Sequence, residues 1–201
     1  DGGVKKLARP NQYFALKAAQ PRLLAGESGI IWHSQGSGKS LLMVWLTQWI
    51  LENIPTSRVV IITDRDELDK QITSGLRQSG IFASNQSDRY YHAESGNDLL
   101  NKLNSEEPKL ITTLAHKFAP RGPRPEDTPA YKLSAKRDMT SAMQDLAENL
   151  DRDFPGFKAK GKCFVFVDEC HRTQGGIMHA AMREIMGDDA MLIGFTGTPL
   201  L

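Results

Sequence analysis

Short apolar runs recur along this chain of 201 residues and alternate with segments of helical periodicity. The runs cover residues 29–32, 59–63, 110–113, 163–167 and 191–195. Apolar runs of this length without polar alternation are typical of strands that are covered on both faces. Helices between successive strands provide that cover, so the alternation predicts an α/β fold of three layers with a mainly parallel central sheet.

Four other segments add detail to this picture. Residues 41–51 are apolar on nearly all sides, and residues 139–150 place Met and Leu on one helical stripe, so both predict helices. Residues 119–130 hold four of the ten prolines and predict a surface loop. Residues 90–92 are a further possible strand to which the sequence assigns no chemistry.

Composition narrows the class of protein only slightly. With 40% hydrophobic residues the chain suits one ordinary domain, and a net charge of +1 restricts any nucleic-acid contact to local basic clusters. Cys163 and Cys170 lack disulfide or zinc spacing, which favours a reduced, cytoplasmic protein. No apolar stretch approaches the roughly 20 residues that cross a bilayer, so we expect no membrane association.

The glycine-rich segment after the first predicted strand carries the strongest chemical signal. It reads His33-Ser34-Gln35-Gly36-Ser37-Gly38-Lys39-Ser40 and precedes a helix, as in a phosphate-binding P-loop. Gly36 and Gly38 allow backbone N–H groups to surround phosphates at the positive end of that helix. Lys39 would reach the β- and γ-phosphates of ATP, and Ser40 would ligate Mg²⁺. The structural alternative is a glycine-rich surface turn with a solvated lysine.

An acidic pair, Asp168 and Glu169, directly follows the most apolar predicted strand. Ligands of open α/β sheets bind outside the carboxyl ends of the strands, so Asp168 can face the P-loop and hold Mg²⁺. Glu169 is the candidate that orients and deprotonates the attacking water. Two alternatives are a simple helix cap and a metal cluster with His171 and His179, although the spacing provides no set of four ligands.

The remaining predicted strands also end in polar residues. These are Thr63-Asp64-Arg65, Thr112-Thr113 with Lys117 beyond, and Thr196-Gly197-Thr198-Pro199. Thr, Asp and Gly are common in turns between strands and helices, so each motif taken singly is equally well explained as structural. Together the five strand ends predict one working edge of the sheet.

These motifs resemble those of superfamily 2 helicases and translocases. The matching segments are Gln12 as the adenine-reading glutamine, 36–40 as motif I, 64–71 as motif Ia, 112–118 as the next DNA-side motif, 168–171 as a DEAH box and 196–199 as motif III. The resemblance implies ATP binding by Gln12, Gln35, Gly36, Ser37, Gly38, Lys39 and Ser40. It implies hydrolysis through Lys39, Asp168 and Glu169, with Mg²⁺ on Ser40 and Asp168.

Within that superfamily the motifs are most similar to those of the R subunits of type I restriction enzymes. The shared segments are 32–40, 64–71, 168–174 and 194–200, and the match is weakest over 119–162. The resemblance implies that Thr196, Gly197 and Thr198 couple nucleotide state to the DNA-facing side. The residues on the nucleic-acid side would be Asp64, Arg65, Thr112, Thr113 and Lys117.

The resemblance also implies an activity and partners. Residues 1–201 would form one RecA-like motor domain that couples ATP hydrolysis to translocation of double-stranded DNA before cleavage. Its partners would be double-stranded DNA, methyltransferase and specificity subunits, and a second RecA-like domain of the same parent chain. We expect that second domain and the nuclease to lie outside these residues, so that the fragment alone hydrolyses little ATP.

Three other functions stay open at the level of sequence. The chain resembles other superfamily 2 motors, such as general helicases and type III restriction subunits. A module that binds ATP and switches conformation without turnover belongs to a different class. A P-loop kinase is disfavoured, because neither Gln12 nor the motif at 196–199 has a role in that class.

Overall fold

The computed structural model describes residues 7–63, 65–83, 85–114, 144, 146–148, 150–170 and 175–198, with side chains left out at 175–179. Its helices are α1 (Pro10–Leu24), α2 (Lys39–Asn53), α3 (Asp66–Gln78), α4 (Asp88–Tyr91), α5 (Gly96–Asn104), α6 (Leu150–Asp153) and α7 (Gly175–Met186). Its strands are β1 (Gly29–Trp32), β2 (Ser57–Thr63), β3 (His92–Ala93), β4 (Leu110–Leu114), β5 (Lys162–Asp168) and β6 (Met191–Thr196).

The strands form one sheet in the order β1-β6-β5-β2-β4-β3, and every pairing is parallel. This confirms the predicted α/β fold with a parallel central sheet. Because the strands are parallel, their carboxyl ends meet along one side of the sheet. We call this side the carboxyl edge, with His33, Thr63, Leu114, Asp168 and Thr196 at or just after the strand ends. The opposite side, which contains Arg58 and Lys162, is the amino edge.

Apolar side chains fill both faces of the sheet. On one face Val60 and Val165 pack with Leu99 of α5 and Met182 of α7. On the other face α2 and α3 cover the alternate strand residues, among them Ile61. Burial of each large apolar side chain contributes roughly 1.5–3 kcal/mol, so the two faces fix the three layers.

The predicted strands agree closely with the observed ones. β1 has the predicted bounds, whereas β2 begins at Ser57 and β5 extends by one residue at each end. β1 lies at the border of the sheet and pairs with β6 in the described structure, which leaves Ile30 53% and Trp32 62% exposed. The other long strands are almost wholly buried.

The possible strand at 90–92 is only partly correct. Residues 88–91 form the short helix α4, and the strand begins at His92. Tyr91 turns inward, where its ring stacks on Phe82 at a centroid distance of 3.9 Å and its hydroxyl accepts a hydrogen bond from Ala83 N at 2.9 Å. This aromatic packing explains why Tyr91 ends the helix α4 and does not extend the strand beside β4.

The predicted helix at 41–51 lies within α2, where Trp45 and Trp49 are half-buried. Met182 and Met186 of α7 are buried. Of the stripe at 139–150, residues 144, 146–148 and 150 are helical, while 139 and 143 lie outside the described residues, as does the predicted loop at 119–130. Among the described helices none has the length and apolar character that crossing a membrane requires.

Candidate nucleotide-binding site

The predicted P-loop connects β1 to α2 at the carboxyl edge. Gly36 and Gly38 have φ values of 75° and 87°, a region that residues with a Cβ rarely adopt. Gly38 is the N-cap of α2, so the positive end of a 15-residue helix faces the loop. The backbone N–H of His33 donates to Thr196 O at 3.0 Å and thereby ties the start of the loop to β6. This arrangement suits an anion such as a phosphate.

Gln12 of α1 braces the loop from the side. Its side chain is 2% exposed, and its Oε1 accepts a hydrogen bond from Arg9 N at 2.9 Å. Its Nε2 donates to the carbonyls of Ser37 at 3.3 Å and Gly38 at 3.1 Å. A Cβ on Gly38 would lie 2.2 Å from this Nε2, so the close approach requires glycine. The side-chain amide that we predict to contact adenine therefore already contacts the P-loop.

Lys39 lies over the loop. Its Nζ donates to the carbonyl of His33 at 3.3 Å, a long hydrogen bond to a neutral acceptor. A Cβ on Gly197 would lie 3.1 Å from Nζ, so this glycine leaves the ammonium room to move. Because a phosphate oxygen carries negative charge and attracts the ammonium more strongly than a neutral carbonyl does, Lys39 would gain by exchanging this carbonyl for a phosphate oxygen.

His33 is the residue that departs from the usual glycine of a P-loop. Its ring is half-buried, and its Nδ1 lies 3.4 Å from Nδ2 of Asn11. Burial, and then the positive charge of Lys39, lower the pKa of His33. A neutral ring accepts a hydrogen bond at Nδ1, so His33 links the loop to α1. No sequence motif indicates Asn11 as a partner of the loop.

The acidic pair lies where the sequence predicts. Asp168 ends β5, pairs in register with Phe195 and is 3% exposed. Glu169 follows with φ of 49°, a left-handed conformation that costs a non-glycine residue on the order of 1–3 kcal/mol and is concentrated at functional sites. Next to the pair, burial raises the pKa of Cys170, whose Sγ would lie 2.6 Å from a Cβ on Gly194.

The donors at this edge fit a magnesium nucleotide. Ser40 contributes a hydroxyl from the first turn of α2, and Asp168 contributes a carboxylate, which are the hard oxygen ligands that Mg²⁺ prefers. Ser37 Oγ is buried and has no hydrogen-bond partner within the described structure. The same part of the chain has no cluster of three or more His, Cys, Asp or Glu that would hold a metal by itself.

The segment after β6 forms a tight turn against the P-loop. Thr196 is 1% exposed, and its Oγ1 accepts a hydrogen bond from Thr198 N at 3.1 Å and donates to Thr198 O at 3.2 Å. Gly197 lies between Lys39 and the backbone of Gln35. The predicted coupling residues therefore lie next to the predicted phosphate-binding residues.

The residues predicted for the nucleic-acid side divide into three groups. Arg65 is exposed at the N-cap of α3. Thr112 and Thr113 are buried and hydrogen-bonded inside the protein, since Thr113 Oγ1 donates to Ala93 O at 3.0 Å and Thr112 Oγ1 lies 3.2 Å from a ring nitrogen of His92. Asp64 and Lys117 lie outside the described residues, as do His171, Arg172 and Pro199.

Curated relatives of this chain are subunits of restriction enzymes. It is 29% identical over 192 residues to the endonuclease subunit of a type I restriction enzyme from Staphylococcus aureus, covering 95% of this chain and 17% of the relative. It is 26% identical over 206 residues to a putative type I restriction endonuclease subunit from Methanocaldococcus jannaschii, covering 98% and 18%. The chain therefore spans less than a fifth of the length of these relatives.

Two solved structures share the fold of this chain. The SWI2/SNF2 ATPase core of Sulfolobus solfataricus in complex with double-stranded DNA matches with a TM-score of 0.56 and 16% identity, over 98% of this chain and 33% of that one. A nuclease-deletion mutant of the type ISP restriction-modification enzyme LlaGI in complex with a DNA substrate mimic matches with a TM-score of 0.55 and 16% identity, over 98% and 18%. These similarities confirm the RecA-like fold. Residues 11–201 match the SWI2/SNF2 ATPase family, so the chain belongs to that family.

Proposed function

We propose that this chain is the first motor domain of a type I restriction endonuclease subunit, which couples ATP hydrolysis to translocation of double-stranded DNA before cleavage. The observation that carries the proposal is the meeting of Lys39, His33 and Gly197 at the carboxyl edge. This contact joins the predicted phosphate-binding loop to the predicted coupling segment. Family membership and the restriction-enzyme relatives support the same function.

In the proposed site each residue has a separate task. Lys39 would bind the β- and γ-phosphates together with the backbone N–H groups around Gly36 and Gly38. Ser40 and Asp168 would hold Mg²⁺, which neutralises phosphate charge during hydrolysis. Glu169 would orient the attacking water and take its proton. Gln12 would contact the adenine through the amide that braces the loop.

The coupling step would begin at Lys39. When its ammonium turns from the His33 carbonyl to a phosphate, the surroundings of Gly197 would change. The turn formed by Thr196 and Thr198 would then change its conformation. The strand ends at the same carboxyl edge include Arg65, which would contact DNA phosphates without reading the base sequence. Such contacts suit a motor that moves along arbitrary DNA.

We further propose that residues 1–201 act as one domain of a larger protein. A second RecA-like domain would complete the ATP site, and methyltransferase and specificity subunits would provide site recognition. The single domain would then bind nucleotide but hydrolyse little ATP alone. Free thiols such as Cys163 and Cys170 persist in the cytoplasm, where this activity would take place.

The test is ATP turnover by the full-length protein, assembled with its partner subunits, with and without linear duplex DNA that bears the recognition site. We expect strong stimulation by DNA, and we expect Lys39→Ala to abolish it. Lys158→Ala removes an exposed lysine far from the P-loop in sequence and is the matched control, which should behave as wild type. Turnover that ignores DNA would contradict the motor function and would leave only an ATPase or a nucleotide-sensing module.

A further inference from the structure

A second polar cluster lies at the carboxyl edge, on the far side of β2 from the P-loop. Thr63 Oγ1 and Asp69 Oδ1 are 3.5 Å apart, Asp69 Oδ2 and His92 Nδ1 are 3.6 Å apart, and His92 Nδ1 and Thr112 Oγ1 are 3.2 Å apart. We call Thr63, Asp69, His92 and Thr112 the α3 anchor. It joins the first turn of α3 to the end of β2, the start of β3 and the middle of β4.

The anchor is shielded from solvent. Thr63 and Thr112 are buried, and the side chains of Asp69 and His92 are only 13% and 20% exposed. Polar groups in such surroundings are normally hydrogen-bonded, and an electrostatic contact there is screened less than one on the surface. The contact between Asp69 and His92 therefore has more influence on the position of α3 than an exposed pair would have.

Two oxygen atoms face the same ring nitrogen of His92. Nδ1 faces a carboxylate oxygen of Asp69, which only accepts hydrogen bonds when ionised, and the hydroxyl of Thr112, which can donate or accept. Only the tautomer that carries a proton on Nδ1 can donate toward the Asp69 carboxylate, and the contact between Asp69 and His92 uses this tautomer.

The anchor holds the part of α3 that begins at the predicted DNA-side residue. The backbone N–H of Asp69 donates to Arg65 O at 3.0 Å, so Arg65 stands one helical turn from the anchor. On the other side His92 begins β3, which pairs with β4 through only two residues, His92 with Thr112 and Ala93 with Thr113. Movement of His92 would therefore shift both the first turn of α3 and the border of the sheet.

The acidic residues of this turn affect how DNA could approach Arg65, so the position of the Asp69 carboxylate is important. The first turn of α3 carries Asp66, Glu67 and Asp69, and the side chains of the first two are exposed. Three carboxylates beside a DNA backbone would oppose contact by Arg65. A proton donor on His92 directs the Asp69 carboxylate inward, toward Thr63 and β3, and away from the surface.

We propose that Asp69 and His92 are positioning residues that hold the first turn of α3 so that Arg65 contacts the DNA backbone. The inference rests on the proposed motor function and assigns DNA engagement to a pair outside the ATP site. The two residues would act through Arg65 without touching DNA or nucleotide themselves. Loss of the pair would weaken DNA engagement while ATP binding and basal turnover remain.

The experiment uses the full-length protein assembled with its partner subunits. The readouts are the DNA concentration that gives half-maximal stimulation of ATP turnover, the basal turnover and the KM for ATP. His92→Leu removes the partner of the Asp69 carboxylate and should raise the half-maximal DNA concentration by about tenfold. Basal turnover and the KM for ATP should stay within about twofold of wild type in this variant.

His92→Asn provides the matched control. Asparagine places an N–H donor close to the position of Nδ1, so it should restore the half-maximal DNA concentration to within about twofold of wild type. A role in stability alone would not be rescued in this way, because asparagine fills much less space than the imidazole ring. Thermal unfolding of each variant should confirm that the domain remains folded.

The outcomes separate this inference from the proposed function. If wild type is stimulated by DNA and His92→Leu responds as wild type does, the positioning role is wrong and the motor function stands. If His92→Leu and His92→Asn lose basal turnover and DNA stimulation in equal proportion, the pair is structural and the inference is also wrong. If wild type ignores DNA, the proposed function and this inference fall together.

Discussion

The two edges of the sheet treat a positive charge in opposite ways. At the amino edge Arg58 is 2% exposed, and its guanidinium donates to five backbone carbonyls, those of Lys102, Leu103, Ser105, Pro108 and Lys160. At the carboxyl edge Lys39 donates to the carbonyl of His33 at 3.3 Å. The Nη atoms of Arg58 are held by these carbonyls, although its buried Nε has no hydrogen-bond partner within the described structure, whereas Lys39 makes one long hydrogen bond to a neutral acceptor.

The difference shows how one sheet divides stability from function. A buried charge is costly unless it is fully hydrogen-bonded, and the planar guanidinium matches several carbonyls at once. Arg58 thereby closes the end of α5 and joins it to the turn before β5. A Lys39 held by as many carbonyls as Arg58 would gain little from binding a phosphate. The amino edge therefore stabilises the fold, and the proposed function uses the cation of the carboxyl edge.

Removal of the Arg58 guanidinium at the amino edge should have the greatest effect. Arg58→Met leaves several carbonyls without donors, which should cost about 3 kcal/mol of local stability. Amide hydrogen exchange of α5 and β2 in the full-length protein should accelerate by about a hundredfold. Arg58→Lys, which keeps the charge but loses the planar fork, should fall between this variant and wild type. An unchanged exchange rate in Arg58→Met would show that the carbonyl network does not stabilise the fold.

The next largest effect is expected at the carboxyl edge, where a change at Gly38 should weaken ATP binding. Gly38→Ala strains a φ of 87° and drives a Cβ into Gln12, so the affinity for ATP should fall at least about tenfold. Gly26→Ala is a matched control, because its φ is 77° and its Cβ would meet nothing within 4 Å. Both variants should lose about 1 kcal/mol of stability from backbone strain. Equal ATP affinity in the two variants would contradict the proposed role of the loop.

The sequence predicted the carboxyl edge far better than the amino edge. Residues 29–40 combine an apolar strand, positive-φ glycines and a helix start, so local chemistry alone specified the loop. The partners of Arg58 lie between 44 and 102 residues away and are backbone carbonyls, which leave no mark on the sequence. Thr112 and Thr113 were predicted from resemblance, and only the fold showed that both are buried.

The α3 anchor was missed for a similar reason. Asp69 lies in the segment 64–71, for which only Asp64 and Arg65 were predicted to have a role. His92 lies in a segment to which the sequence assigned no chemistry. The short helix at 88–91 was also missed, because the stacking of Tyr91 on Phe82 is a tertiary contact. Long-range polar pairs and tertiary packing of this kind require the fold before they are visible.

The two cysteines allow a smaller comparison of the edges. Burial raises the pKa of Cys163 at the amino edge to about 11, and burial also raises the pKa of the half-buried Cys170 at the carboxyl edge. Thiolates are the reactive form, so both should alkylate slowly at pH 8, and Cys170 should react several-fold faster than Cys163 because it is more accessible. Mass spectrometry of the native protein after iodoacetamide treatment measures both rates. Faster labelling of Cys163 would show that the amino edge opens readily.

The smallest expected effect concerns His33. Because the folded protein lowers the pKa of this residue, the unfolded chain binds the proton more tightly, and stability falls as pH decreases below about 6.5 and through the folded pKa. Above that range His33 contributes no pH dependence. His33→Asn should therefore show a shallower loss of thermal stability between pH 7 and pH 5 than wild type. An identical slope in the two proteins would show that His33 does not titrate in contact with Lys39.

The proposed function places the chemistry of ATP hydrolysis at the carboxyl edge. The most direct test of this placement is ATP binding and turnover by full-length Glu169→Gln, assembled with its partner subunits at saturating DNA. We predict that the variant binds Mg-ATP with wild-type affinity and that its turnover falls by at least about a hundredfold, because the attacking water loses its base. Wild-type turnover in Glu169→Gln would contradict the claim and would place catalysis elsewhere.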